Sequence, residues 1–131
     1  MGLVAKWSFA PLRNQNGVKN MIEKLVYVAS PYAAISCARD EEQRRLYAKK
    51  IAIKACRDVK NAGYLPISPV LALCDIYNDK EDRDEVMKIC KQMLEGCSYI
   101  YVANSVYSKA SKGIKEELYF AKSLSITILE I

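Results

Sequence analysis

The chain has 131 residues, with 20 Lys and Arg against 15 Asp and Glu, a formal net charge of +5 and no histidine. This length predicts one domain with enough buried surface for one hydrophobic core. Because histidine is absent, imidazole bases, Ser–His or Cys–His pairs and His–metal sites are excluded. Acid–base chemistry would have to come from carboxylates, Tyr, Lys or Cys.

The cysteines and the hydropathy argue against three further classes: disulfide-rich proteins, zinc proteins and membrane-spanning proteins. The five cysteines are an odd number and contain no C-x-x-C spacing: Cys37, Cys56, Cys74, Cys90 and Cys97. They argue against a disulfide framework or a zinc site and predict free thiols in a cytoplasmic protein. No apolar run approaches the roughly 18 residues of a membrane helix, so no membrane partner is expected.

Two segments differ in pattern. Residues 1–20 contain Pro, Gly and three Asn in the stretch 11–20 and show no periodicity, which predicts a flexible leader. The patterned part covers residues 21–131 and is expected to form a single domain. Met21, its first residue, is a candidate natural start of the protein, which the mass of the native protein would test.

Short apolar runs alternate with helical patterns along the patterned part. The predicted strands cover residues 24–29, 65–69, 99–103 and 126–131, and the predicted helices cover 41–62, 82–96 and 112–123. This order predicts a doubly wound, flavodoxin- or Rossmann-like α/β fold, with a parallel sheet of four to five strands between helical layers. Ligands bind at the carboxyl ends of such strands, which directs attention to the loops 30–40, 68–80 and 104–113.

The last predicted helix carries a carboxylate in its apolar row. Ile114, Leu118 and Ala121 form that row, and helical spacing places Glu117 in it. Burying an unpartnered carboxylate costs free energy. Two interpretations remain open: Glu117 is solvated at an exposed helix end, or it is a half-buried nucleophile or base.

Other residues offer groups to a ligand at the same edge of the sheet. Ser111 and Gly113 open the last helix, where free N–H groups and the helix dipole favour an anion, although a plain Ser N-cap fits equally. Tyr27 lies in a strand expected to be buried, where its hydroxyl needs a partner or is simply packed in the core.

The turn that follows the first strand offers further contacts. Ser30 and Tyr32 flank a proline there and present hydroxyls and backbone N–H groups to a ligand. Arg39 follows in the same loop and is within reach of an anion, although a solvated helix start explains this arginine as well.

Four segments together resemble the nucleoside 2-deoxyribosyltransferase-like superfamily and its small bacterial and phage relatives, over roughly residues 24–131. They are VYVASPYA (26–33), NAGYLPISPVL (61–71), MLEGCSYIYVAN (93–104) and SKGIKEELYFAKSLSI (111–126). No single motif carries the resemblance, which rests on the S-x-G-x-x-x-E-L helix start together with the tyrosine-bearing first strand and the Ser-Pro-Tyr turn, in that superfamily's order. The resemblance implies a doubly wound parallel sheet and a pocket for a 2-deoxyribose.

The resemblance also implies a mechanism. In that superfamily a glutamate attacks the anomeric carbon, displaces the base, and is released by water or another base, much as in retaining glycosidases. The matching positions are Glu117 as nucleophile and Tyr27 as the residue that orients it. Ser30 and Tyr32 would line the sugar or base side. No metal or organic cofactor is implied, and a homodimer or larger homo-oligomer is expected.

The residue two before the motif glycine separates two branches of the superfamily. The resemblance implies Asp there in transferases, which act on nucleosides, and Ser in deoxynucleoside 5′-monophosphate N-glycosidases. This chain has Ser111, which with Gly113 would cradle a phosphate. The expected substrate is therefore a 2′-deoxynucleoside 5′-monophosphate, or a deoxynucleoside, whose N-glycosidic bond is cleaved or exchanged.

One departure from the superfamily pattern keeps an alternative open. The acid that assists the leaving base would fall at Cys90, and a thiol is a poor general acid, which costs about 10²–10⁴-fold in rate. The alternative is a non-catalytic nucleotide-binding or regulatory module on the same fold. A nucleic-acid polymer is not an expected partner, because no aromatic–basic cluster stands out.

Overall fold

The computed structural model describes residues 24–131, and the predicted leader and the candidate start at Met21 lie outside them. The elements follow the predicted order, and the segment 70–80, expected as a loop or a short helix, contributes to a short helix. They are β1 (Leu25–Ala29), α1 (Glu41–Asn61), β2 (Leu65–Ile67), α2 (Pro69–Leu73), α3 (Arg83–Glu95), β3 (Tyr99–Val102), α4 (Lys112–Ser123) and β4 (Thr127–Ile128). No helix among these is long and apolar enough to cross a membrane.

The four strands form one parallel sheet in the order β2-β1-β3-β4. Helices cover both faces, so the predicted three-layer, doubly wound α/β fold is confirmed. β1 and β3 are the central strands, and the chain leaves them toward opposite sides of the sheet. Their carboxyl ends therefore border the crevice in which α/β sheets of this type bind ligands.

β1 is buried on both faces, as a central parallel strand requires. Val26 and Val28 pack with Val59 of α1 in one hydrophobic cluster. Tyr27 and Ala29 point to the other face and join a second cluster, which contains these side chains of α3 and α4: Cys90, Leu94, Ile114 and Ala121. The alternation along β1 thus assigns Tyr27 to the layer that contains α4.

α1 begins and ends with the signals that its sequence carries. The Asp40 side chain accepts a hydrogen bond from the Gln43 N–H at 2.8 Å and caps the first turn. Gly63 follows the C-cap with φ +95°, the left-handed conformation that glycine adopts without strain. The predicted helix 41–62 is one residue too long. Ala62 is the C-cap and is exposed.

All four predicted strands are longer than the observed ones, β1 and β3 by one residue each and β2 and β4 by more. β2 stops at Ile67, because the Ser68 side chain accepts from the Leu71 N–H at 3.1 Å and starts α2. The predicted strand 126–131 pairs with β3 only at Thr127 and Ile128. Among the described residues it is one of the two edge strands and pairs with β3 alone.

Candidate active site

A cleft of about 490 Å³ lies at the carboxyl ends of the strands. Its size is in the range of small-molecule sites. Residues of all three predicted loops line it, at 30–34, 69–80 and 110–113, together with the start of α4. One face of α3 forms a further wall of the cleft, which the prediction from the three loops did not include.

Glu117 lines this cleft and accepts a hydrogen bond from the hydroxyl of Tyr27. Tyr27 is fully buried, and Glu117 is partly buried in the row between Ile114 and Ala121. The interpretation of Glu117 as a carboxylate merely solvated at a helix end is therefore wrong. Helical spacing predicted its position, and β1 supplies the partner.

The surroundings shift the protonation of both groups. Burial raises the pKa of Glu117 to about 7, and the Tyr27 hydrogen bond and the Arg83 guanidinium limit the rise. A substantial fraction of Glu117 is ionised at neutral pH. Burial and the neighbouring carboxylate raise the pKa of Tyr27 well above its ordinary value, so its hydroxyl remains a neutral donor.

Cys90 lies beside this pair on the inner face of α3. Its thiol is buried, lines the cleft and interacts with the Tyr27 hydroxyl. Burial raises the pKa of Cys90 to about 11. A thiol that holds its proton so firmly is a weak donor to a departing base at neutral pH.

The aspartates near the start of α3 do not take the place of Cys90 as a proton donor in the cleft. Asp82 is the N-cap residue and accepts from the Asn78 N–H at 2.8 Å, while Asp84 is exposed in the first turn. Neither lines the cleft. Asp79 does line it, and its carboxylate lies 3.7 Å from Nη1 of Arg83.

The start of α4 forms one end of the cleft. Ser111 Oγ accepts from the Ile114 N–H at 3.2 Å, so Ser111 is an N-cap, as one interpretation of the sequence expects. The N–H groups of Lys112 and Gly113 belong to the first turn and have no partner within the helix. A Cβ on Gly113 would lie 3.8 Å from both Ser111 Oγ and Arg83 Nη2, and 4.0 Å from Glu117 Oε1. Glycine thus leaves the backbone open where these groups meet.

Two of the three binding residues predicted in the loop 30–40 line the cleft. Ser30 lines the cleft, and its buried Oγ has no hydrogen-bond partner. Tyr32 also lines it and donates to Glu41 Oε2 at 3.2 Å, and burial raises its pKa to about 12. Arg39 is exposed and is not a lining residue. Its backbone N–H donates to the side chain of Gln43 at 2.7 Å, which holds it at the start of α1 and away from the cleft.

A family model described as a domain of unknown function, DUF7768, matches residues 24–131. The chain belongs to the DUF7768 family. No curated protein and no solved structure matches it. The match contains every residue of the cleft, while the family description assigns no activity. The function of this DUF7768 domain must therefore be argued from the cleft itself.

Some lining residues of the DUF7768 domain were missed by the sequence argument. They are the charged Asp79, Lys80 and Arg83 and the apolar Val70, Leu73, Tyr77, Val86 and Met87. A usable signal existed on α3: residues 83, 86, 87 and 90 follow the i, i+3, i+4, i+7 spacing of one helix face. That face turns toward the cleft.

The described residues contain no group of three or more His, Cys, Asp or Glu side chains that could hold a metal ion. All five cysteines of the DUF7768 domain are free thiols. The chemistry available in the cleft is therefore that of a carboxylate, a phenol, a thiol and several cations.

Proposed function

We propose that this protein cleaves the N-glycosidic bond of 2′-deoxynucleoside 5′-monophosphates, with Glu117 as the nucleophile. The observation that carries the proposal is the hydrogen bond from the buried Tyr27 hydroxyl to Glu117 inside the cleft. The resemblance to the nucleoside 2-deoxyribosyltransferase-like superfamily supports it, because both residues stand at the matching positions.

The two carboxylate oxygens of Glu117 have different surroundings. Oε2 accepts from Tyr27, while Oε1 lies on the side of Gly113 and the start of α4. Tyr27 thus holds one oxygen and leaves the other for attack. Although burial raises the pKa of Glu117 to about 7, the Tyr27 hydrogen bond and Arg83 limit the rise, so part of the carboxylate is ionised at neutral pH and available for this role.

The proposed reaction has two steps. Oε1 of Glu117 bonds to C1′ of the sugar as the C1′–N bond breaks, and the electron pair leaves with the base, whose nitrogen takes a proton from water. A water molecule then attacks C1′, gives up a proton and releases the carboxylate. The products are the free base and 2-deoxyribose 5-phosphate.

The two ends of the cleft suit the two ends of such a substrate. The first turn of α4, with the Ser111 hydroxyl, offers donors and a favourable dipole to a phosphate. Apolar side chains of α2 and α3, among them Leu73, Val86 and Met87, offer a surface for a planar base. Glu117 lies in the same cleft, within 4.0 Å of the Cβ position of Gly113.

The test is the release of free base, measured by chromatography after incubation with each deoxynucleoside monophosphate, each deoxynucleoside and the ribonucleotides. We expect release from the deoxynucleotides and its loss in Glu117→Gln. Glu116→Gln is the matched control, since Glu116 is the neighbouring, exposed glutamate on α4. Release that persists in Glu117→Gln would overturn the mechanism.

Cys90 supports a second candidate, a non-catalytic nucleotide-binding module. Its buried thiol stands at the position where the superfamily that the sequence resembles carries an acid, and its pKa of about 11 makes it a weak proton donor. Nucleotide binding by thermal shift, with no base released from any substrate, would favour this candidate over the enzyme.

A further inference from the structure

We propose that Arg83 and the first turn of α4 together form a receptor for a phosphate group, and that Arg83 sets the preference for phosphorylated over unphosphorylated substrates. This inference deepens the proposed function and rests on it for the sugar and base of the ligand. Arg83 belongs to a different helix from the S-x-G-x-x-x-E-L motif, and no motif assigns it a role.

The Arg83 guanidinium lies beside the first turn of α4. Arg83 is the first residue of α3, lines the cleft, and brings Nη2 to 3.8 Å from the Cβ position of Gly113. Its pair with Asp79 is long, at 3.7 Å, which is beyond hydrogen-bonding distance. Its side chain is 38% exposed. The donors of the guanidinium are therefore available on the side of the cleft.

The electrostatics of this arrangement favour an anion between the two helices. The N-terminus of α4 carries the positive end of the helix dipole, and the Arg83 guanidinium is directed at that end. Asp79, 3.7 Å from Nη1, and Glu117, whose Oε1 lies 4.0 Å from the same Cβ position of Gly113, balance part of this positive charge, and a bound anion would balance more of it. Lys80 and Lys112 also line the cleft, as do the carboxylates of Asp79 and Glu117.

An independent observation points to a polar ligand in the same cleft. Ser30 is 7% exposed and lines the cleft, and its Oγ has no hydrogen-bond partner. Buried hydroxyls in folded proteins are nearly always paired, so an unpaired one needs an explanation. A bound ligand that carries oxygen atoms would supply the missing partner.

The number of donors favours phosphate over a carboxylate. The guanidinium offers a fork of N–H groups, the first turn of α4 offers the N–H groups of Lys112 and Gly113, and Ser111 adds a hydroxyl. A carboxylate has two oxygens to receive them, whereas a phosphate monoester has three terminal oxygens and up to two charges. The receptor is therefore matched to a phosphate monoester.

The experiment measures binding separately from catalysis. The dissociation constants of inorganic phosphate and of 2-deoxyribose 5-phosphate are measured by calorimetry on wild type, Arg83→Gln and Arg83→Lys. Lys88→Gln is the control, since Lys88 is an exposed cation on the same helix that does not line the cleft. We expect at least tenfold weaker binding in Arg83→Gln, a smaller loss in Arg83→Lys, and wild-type binding in Lys88→Gln.

The outcomes separate this inference from the proposed function. Wild-type phosphate binding by Arg83→Gln would overturn the inference, whatever happens to base release. Binding that depends on Arg83 without base release from any substrate would support the receptor and contradict the glycosidase. If bases are released, we expect Arg83→Gln to lower kcat/KM for nucleotides at least tenfold more than for nucleosides, whose smaller loss follows from the higher pKa of Glu117 without the guanidinium. Equal losses for both substrates would contradict the assigned specificity. Arg83→Lys preserves the charge and provides the comparison if Arg83→Gln fails to fold.

Discussion

The hydroxyl of Tyr27 donates a hydrogen bond to Glu117, although 90 positions separate the two residues in the chain. Tyr27 belongs to the central strand β1, which is buried on both faces, whereas Glu117 belongs to α4 and lines the cleft. The bond therefore connects the proposed nucleophile to a strand of the hydrophobic core. It also selects which of its oxygens remains available.

Tyr27→Phe removes this donor without changing the shape of the ring. We expect the pKa of Glu117 to rise above about 7, because the Tyr27 hydrogen bond holds it down. The acid limb of the pH–rate profile for base release should move to higher pH, and the free energy of unfolding should fall by about 1 kcal/mol. Tyr119→Phe is the control, since Tyr119 is 80% exposed. An unmoved pH profile in Tyr27→Phe would contradict the assigned role.

The raised pKa of Glu117 also predicts opposite pH dependences of stability and activity. Between the ordinary value of 4.5 and about 7, the folded protein retains a proton that the unfolded chain has lost. The contribution of Glu117 to stability is therefore complete below pH 4.5 and is lost as the pH rises through about 7, by about 1–3 kcal/mol. Base release needs the ionised carboxylate and should increase over the same range.

Denaturant unfolding of wild type and Glu117→Gln, measured from pH 4 to pH 8, checks the stability part of this prediction. The difference in unfolding free energy between the two proteins should change across that range, because the glutamine does not titrate. A constant difference at all pH values would show that Glu117 has the same pKa in the folded and unfolded chains.

Ser111→Asp tests the anion end of the cleft while preserving the helix cap, because Asp is as good an N-cap residue as Ser. The new carboxylate repels a phosphate, so KM for deoxynucleoside monophosphates should rise at least tenfold. Deoxynucleosides, which carry no phosphate, should be processed as well as or better than by the wild type. The measurement is kcat/KM for a matched nucleotide and nucleoside pair, and an unchanged ratio would contradict a phosphate contact at Ser111.

Cys90→Asp tests whether the missing acid limits the rate. A carboxyl group beside Tyr27 and Glu117 would be partly protonated by burial and like-charge repulsion, and would donate to the departing base. We expect faster base release, by about tenfold or more, together with a lower melting temperature because a polar group is buried. Cys90→Ser is the control, with a similar size and no acid. Equal rates in both variants would mean that proton donation by this residue does not limit the reaction.

The fold followed from local patterns because each element carries its own signals. The pattern of residues 41–62 predicted α1 to within one residue at its end, and Asp40 and Gly63 flank the observed helix. The position of Glu117 was predicted for a related reason, since a carboxylate in an apolar row is visible from helical spacing alone. For Tyr27 the sequence left a polar partner and simple core packing open, and in the structure its hydroxyl donates to Glu117.

Arg83 was not predicted because its role depends on the packing of two helices. An arginine at a helix start is ordinarily solvated, and nothing near Arg83 in sequence shows that Gly113 comes within reach. Arg39, by contrast, was expected in the cleft because its loop contributes to it. In the structure Arg39 lies at the start of α1 and does not line the cleft. This position depends on the path of the loop, which the sequence does not reveal.

The alternation of side chains along β1 has a consequence for the tolerance of this segment to insertions and deletions. Odd and even positions face different helical layers, with Tyr27 toward α4 and Val28 toward α1. Adding or removing a single residue within the strand would exchange the two layers. A valine would then stand against Glu117 and a phenol would enter the aliphatic layer under α1. The alternation along β1 therefore sets both the packing of the core and the contact between Tyr27 and Glu117, so a change of register would disrupt both.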